Sequence, residues 1–307
     1  MRGLVIKSTG SWYKVLEDGT QAVHDCRMKG KIRLSNIKST NPIAVGDRVE
    51  YNLENDNTGV ITNIENRKNY IIRKATNLSK QSHIIAANVD RAYLVATLHS
   101  PTTLLSFIDR FLVSTEAYNI PVTLLFNKCD MYSEEELQTI AEWESIYSKI
   151  GYATLRISAK DNYNISTLRN EMQGKITVFA GNSGVGKSSI VNAIDSSINI
   201  ATQKVSDYHN KGQHTTTFAE MHKISNGGFI IDTPGVKAFG LLNFEQEELS
   251  HYFPEIFESS KGCQFNNCTH THEPKCAVVK DVAESNISLS RYENYLKMID
   301  DNNSKHR

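Results

Sequence analysis

The chain has 307 residues, 39% of them hydrophobic, and sets 34 Lys plus Arg against 34 Asp plus Glu; that is length enough for two or three domains, each with its own core. Zero net charge excludes reading a partner from whole-chain electrostatics, and no run approaches the roughly 20 apolar residues that a membrane-spanning helix needs. Of five cysteines, Cys263, Cys268 and Cys276 gather near histidines, which argues against a disulfide framework and for metal in a reducing compartment. With no secretory signal pattern at the N-terminus, a cytoplasmic location is expected. The charge is unevenly spread: residues 1–74 hold 13 basic and 8 acidic side chains, and residues 241–307 hold 7 and 11. A basic front end suits an RNA or phosphate surface as well as an ordinary solvated face.

In chain order, residues 1–70 read as five short strands. GLVIKS, SWYKVLEDG, TQAVHDC, GDRVEYNLE and TGVITNI carry β-branched and aromatic residues between Gly, Asp and Asn punctuation. Such spacing predicts a small barrel of the OB type, with an SH3-like barrel as the alternative. RKNYIIRKATNLS, Arg67 to Ser79, reads as a polar basic connector. From about residue 88 apolar strand runs (DRAYLVATL, IPVTLLF, ATLRIS, KITVFAG, GGFIID) alternate with longer amphipathic stretches. That alternation predicts a parallel sheet wrapped by helices over 71–240. One helix is expected from Ser133 to Ile150, opened by a Ser133–Glu136 capping box and buried along Leu137, Ile140, Ala141 and Ile146. Residues 241–307 form a third unit of short polar helices around the Cys/His cluster, closed by SRYENYLKMI, with DDNNSKHR expected to be disordered.

The strongest chemical signal is GNSGVGKSS: Gly181, Asn182, Ser183, Gly184, Val185, Gly186, Lys187, Ser188 and Ser189. An apolar strand precedes it and a helical run follows, the context of a phosphate-binding loop. Its glycines let backbone N–H groups face the β-phosphate, Lys187 reaches the β- and γ-oxygens, Ser188 ligates Mg²⁺, and Ser189 meets the α-phosphate. Downstream, IIDTPG puts Asp232 at a strand end, where it can hold the Mg²⁺ water shell, and Gly235 where its N–H can meet the γ-phosphate. The base reader lies upstream, as Asn127, Lys128, Cys129 and Asp130. A carboxylate at Asp130 accepts from guanine N1–H and its exocyclic amine; adenine offers neither and would leave a buried charge unsatisfied. Ser158, Ala159 and Lys160 follow on the next strand, and the Ala159 N–H can serve guanine O6. GTP, with Mg²⁺, is the expected ligand.

These motifs stand in an inverted order, with base reader before phosphate loop. Because domain termini lie close together, joining old ends and opening the chain just after DTPG preserves the sheet: a circular permutation. NKCD, SAK, GNSGVGKSS, HTTT and DTPG in this order, behind a small barrel and ahead of CQFNNCTHTHEPKCAV, resemble the small-ribosomal-subunit-dependent GTPase A family over nearly the whole chain. The resemblance implies GTP hydrolysis to GDP and phosphate, stimulated by the small ribosomal subunit during its late maturation, contact with its rRNA, and a zinc-binding C-terminal module.

Val236 stands where many GTPases carry a water-orienting Gln. His214, in KGQHTTT, is the candidate for that task, and the resemblance implies the same role; a group on the partner is the alternative. Of Thr215 to Thr217, Thr216 is preferred for Mg²⁺. Gln213 stands where the family pattern commonly has Arg. Cys263, Cys268, His270 and Cys276 offer a closed tetrahedral set for one structural Zn²⁺. His272 is the rival imidazole, and the family motif matches His270. Cys26 and Cys129 read as buried small residues. On the barrel, Trp12, Tyr13, Arg27, Lys29, Lys31 and Arg33 are candidate RNA contacts or, equally, core and solvated face. Two further functions fit the sequence: a nucleotide-gated RNA-binding switch with negligible turnover, and a GTPase regulating a non-ribosomal partner. A monomer is expected.

Overall fold

Five N-terminal strands close on themselves: β1 (Arg2–Ser8), β2 (Trp12–Glu17), β3 (Val23–Met28), β4 (Arg48–Leu53) and β5 (Gly59–Ile64). They pair in the order β1-β2-β3-β5-β4 and β4 returns to β1, with β3 parallel to β5 and the other neighbours antiparallel. This is the OB-type barrel. Val5, Tyr13, Val15, Cys26, Val49, Tyr51 and Ile61 fill it, as strand alternation requires. The structure, a computed structural model, describes residues 1–28, 42–55, 57–73, 83–198, 219–232 and 248–305.

The stretch expected to be a polar basic connector contains a strand. β6 (Tyr70–Arg73) pairs with β7 (His83–Ala87) in an antiparallel ribbon. Ile71 and Ile84 are buried there, so three residues of high β-propensity outweigh their polar flanks.

The nucleotide-type sheet follows as β8 (Arg91–Ala96), β9 (Val122–Phe126), β10 (Ala153–Arg156), β11 (Ile176–Ala180), β12 (Glu220–Lys223) and β13 (Phe229–Asp232). Its order is β10-β9-β8-β11-β13-β12, parallel except for β12. The chain enters mid-sheet at β8, fills one flank, then returns through β11 to fill the other. That is the permuted arrangement. Strands β8, β9 and β11 are buried on both faces, which explains their unbroken apolar runs. Along β8, Ala92, Leu94 and Ala96 face the core under α1 (Leu105–Ala117) and α2 (Glu134–Lys149). Tyr93 and Val95 face the core under α3 (Ile165–Glu171) and α4 (Lys187–Ile194). The Ser133–Glu136 capping box forms as expected. Of the predicted α2 face only Ile140 is buried, while Leu137, Ala141 and Ile146 are half-buried; the helix's other buried residue, Tyr147, lies outside the predicted set.

The C-terminal unit holds α5 (Pro254–Ser260), α6 (Ala277–Ala283) and α7 (Leu289–Lys305). Helix α7 runs through the DDNNSK stretch expected to be disordered, with Asp301 in an ion pair to Arg110 on α1. The unit docks on α1, where Val113 joins Leu249, Phe253, Ile256, Tyr295 and Met298 in one apolar cluster. Beside it Arg291, 1% exposed, donates to Asp109 Oδ1 at 2.8 Å and to Glu255 at 2.7 and 3.1 Å. Asp109 also accepts from Tyr147 at 2.8 Å and Asn294 at 2.6 Å. Burial pushes the Asp109 carboxyl up, against the pull of Arg291 and these donors. Among the described residues no helix is long and apolar enough to cross a membrane.

Candidate nucleotide site and metal centre

The described residues of the expected base reader and phosphate loop meet at the carboxyl ends of parallel strands, where open α/β sheets bind ligands. Residues Asn127 to Asp130 leave β9, Ser158 to Lys160 follow β10, and the loop Gly181 to Gly186 joins β11 to α4. Gly181 (φ +137°) has the Val95 carbonyl 2.4 Å from where a Cβ would stand; Gly186 (φ +101°) has Asn127 Nδ2 at the same 2.4 Å. Any side chain at these two positions would break the loop's seat.

Base reader and phosphate loop are directly bonded. The buried Asn127 donates from Nδ2 to the Val185 carbonyl at 2.8 Å, and its Oδ1 accepts from the Ala159 N–H at 3.3 Å. Lys128 donates to the Gly184 carbonyl at 2.9 Å and to that of Ser100. Burial pushes its ammonium down, opposed by Asp130. Ser158 donates to Asp130 Oδ1 at 2.7 Å, while the Lys160 ammonium lies 3.6 Å from Oδ2. Burial pushes the Asp130 carboxyl up, but the Ser158 hydroxyl, a backbone amide and Lys160 outweigh it and hold the group below its ordinary value. The result is an ionised acceptor, the state that reading guanine demands.

Lys187 donates to the Gly181 and Asn182 carbonyls at 2.8 and 2.7 Å, at the mouth of the loop. Ser188 and Ser189 occupy the first turn of α4, Ser188 half-buried and Ser189 exposed. Asn182 and Ser183 line the loop's outer turn, and Val185 buries into the core under α4. Asp232 ends β13, the neighbour of β11, so its backbone stands beside the loop's root. The Ser188 hydroxyl on the first turn of α4 is an oxygen donor of the kind a hard cation takes. His214, Thr216, Gly235, Gln213 and Val236 lie outside the described residues, as do Lys29, Lys31 and Arg33.

Two participants escaped the sequence reading. Tyr132 donates to the Asn127 carbonyl at 2.9 Å and accepts from the Leu98 N–H at 2.9 Å. With the Lys128 bond to Ser100, it ties the turn after β8 to the base reader. Neither residue belongs to a motif, so no local pattern marks them.

In the C-terminal unit the ligand atoms of Cys263, Cys268, His270 and Cys276 all lie within 4.8 Å of one another. Cys263 Sγ stands 3.6 Å from His270 Nδ1 and 3.9 Å from Cys276 Sγ, and Cys276 Sγ is 3.5 Å from His270 Nδ1. A tetrahedron with metal–sulfur bonds of about 2.3 Å has edges of about 3.8 Å, so the set fits zinc. His272 is exposed and bonded to the Thr271 hydroxyl at 2.7 Å, outside the cluster. Burial lowers the pKa of His270, favouring the neutral ring that a metal ligand must be. Glu273, which no motif flags, accepts from the amides of Thr269, Thr271 and His272 at 2.7, 3.0 and 3.2 Å. It fixes the turn that presents His270, whose φ is +59°. Cys26 is fully buried in the barrel and Cys129 half-buried under α2. Trp12 is 48% exposed, Tyr13 is core, and Arg27 is paired with Glu54 at 2.7 Å.

Known proteins match nearly the full length of the chain. The profile described as RsgA N-terminal domain matches residues 2–61, and that described as RsgA GTPase matches residues 64–242. A small ribosomal subunit biogenesis GTPase RsgA of Bacteroides fragilis is 53% identical over 301 residues, covering 98% of this chain and 97% of the other. Among solved structures, YjeQ from Thermotoga maritima superposes with a TM-score of 0.80 at 37% identity, covering 98% of this chain and 97% of that one. YloQ, titled a circularly permuted GTPase, superposes with a TM-score of 0.79 at 32% identity, covering 99% and 95%.

Proposed function

The chain belongs to the RsgA GTPase family and is a GTP hydrolase, and from that premise we propose how its residues bind GTP, engage the small ribosomal subunit and assist late maturation of that particle. One observation carries the nucleotide reading: Asn127 bonds the phosphate loop through Val185 while holding the Ala159 amide of the base reader. Base reader and phosphate loop are therefore tied to each other through Asn127.

In this reading Asp130 accepts from guanine N1–H and its amine, Ala159 turns its N–H from Asn127 to guanine O6, and Lys128 lies along the purine plane. The N–H groups of Gly181 to Ser189 line the phosphates, and Lys187 exchanges its two carbonyl partners for phosphate oxygens. Ser188, Asp232 through water, and Thr216 hold Mg²⁺, which would neutralise charge developing on the β–γ bridge. Gly235 donates to the γ-phosphate. His214 positions the attacking water, in place of the Gln that Val236 replaces. Cys263, Cys268, His270 and Cys276 hold one structural zinc ion, a closed set with no position open for chemistry. The barrel and this module contact rRNA, and the protein acts as a cytoplasmic monomer.

Turnover of GTP with and without purified small subunits tests the reading. Turnover should be slow alone and rise at least about tenfold with subunits, since a group that orders on the partner supplies transition-state stabilisation. His214→Ala should remove that rise and leave GTP affinity within about twofold. Equal turnover with and without subunits would contradict it.

A further inference from the structure

Strand β12 joins the nucleotide sheet to the barrel, and Glu220 carries its pairing to β1. Glu220 faces Asp232 across the β12–β13 hairpin and faces Lys7 of β1 on its other side. The Lys7 ammonium donates to Glu220 Oε2 at 2.8 Å. The hairpin is therefore paired to β1 at the end where Asp232 stands.

A local irregularity aims Lys7 there. Val5 pairs with Val15 and Lys7 with Lys14, so Ile6 is an extra residue in β1. Without this bulge Lys7 would fall opposite Tyr13, which is buried in the barrel core. The bulge turns it outward onto β12. Leu4 and Ile6 meanwhile pack into the same core as Met221 and Ala219 of the hairpin region. Those apolar contacts supply attraction between barrel and sheet. The ion pair adds little to it, since its side chains are 34% and 37% exposed and such pairs contribute at most about 1 kcal/mol. What the pair fixes is alignment at one end of the hairpin. Lys223 adds a second hold by donating to Gln21, in the β2–β3 turn.

We propose that Lys7 and Glu220 are a positioning pair: engagement of the barrel by its partner sets the Asp232 end of the β12–β13 hairpin through them and so raises GTP turnover. This rests on subunit-stimulated hydrolysis as read above. A partner that grips the barrel biases β1, β1 biases Glu220, and Glu220 lies in register with the residue that begins DTPG.

The test uses the full chain as wild type, Lys7→Met, Glu220→Gln and the charge swap Lys7→Glu with Glu220→Lys. Four quantities are measured: thermal midpoint, affinity for a non-hydrolysable GTP analogue, affinity for purified small subunits, and turnover with and without subunits. Both single variants should keep midpoint, both affinities and unstimulated turnover, and lose stimulation at least about fivefold, the low end of allosteric coupling. The swap should restore most of it, as a double-mutant cycle requires of a direct pair. Single variants stimulated like wild type, stimulation lost equally in the swap, or loss traced to weaker subunit binding would each overturn the pair and leave the functional reading standing. A wild type that subunits do not stimulate would instead overturn the reading, and the pair with it.

Discussion

Asp130 is where the proposed site chooses its base, and two neighbours prepare it. Ser158 occupies one carboxylate oxygen at 2.7 Å and Lys160 stands 3.6 Å from the other. With its folded value held below the ordinary one, the carboxyl stays ionised through neutral and mildly acidic pH. Guanine affinity should be flat over that range as far as this group is concerned. Asp130→Asn tests the chemistry directly. An amide cannot accept from both N1–H and the exocyclic amine, but it can donate to the C2 carbonyl of xanthine. Titration with fluorescent nucleotides should show GTP affinity falling about a hundredfold or more and XTP affinity rising; unchanged GTP binding would contradict the assignment. Asp130, Lys187 and the glycines were legible because their chemistry demands fixed spacing. Tyr132, Ser100 and Glu273 were not, because each acts through backbone groups that any sequence could offer.

At the scale of elements, legibility tracked whether a segment's partners were local. The capping box of α2 needs only Ser133 and Glu136, and it forms. Helix α1 carries Asp109 on its buried face, which breaks its apolar pattern; the ion that justifies it, Arg291, lies 182 residues away. Strand β12 is four mostly polar residues with Met221 alone buried, so nothing in EMHK announces a strand until β13 and β1 flank it. The cluster around His270 is the converse case, with donor spacing visible and the scaffold hidden. Helices α5 and α6 have seven residues each, too short to stand alone, so a bound ion would supply much of that unit's stability. Freshly purified protein should carry about one zinc per chain. Chelation, or Cys276→Ser, should lower the unfolding midpoint of the C-terminal unit and leave nucleotide binding in place. Metal-free protein with an unchanged melting profile would remove the ion from the account.

Across the whole molecule, barrel, nucleotide sheet and C-terminal unit are held together by two unlike joints. Barrel and nucleotide sheet share strand pairing through β1 and β12 and apolar contact through Leu4 and Ile6. The C-terminal unit is joined to α1 by packing around Val113 and by the buried Arg291, Asp109 and Glu255 cluster. A slip of that second joint would strand an ion in the interior at a cost of about 3–5 kcal/mol, so the cluster fixes one docking angle. Between them lies a sheet whose base reader and phosphate loop run in inverted order yet meet at the carboxyl ends of its strands, because fold depends on strand neighbours and not on where the chain begins. That convergence is the central claim. It is tested most directly by a crystal structure of the chain with Mg²⁺ and a non-hydrolysable GTP analogue. The prediction is an Asp130 carboxylate within about 3 Å of purine N1 and N2, and the Lys187 ammonium within about 3 Å of β- and γ-phosphate oxygens, on a single nucleotide. Phosphates held by Lys187 with the purine beyond reach of Asp130 would contradict it.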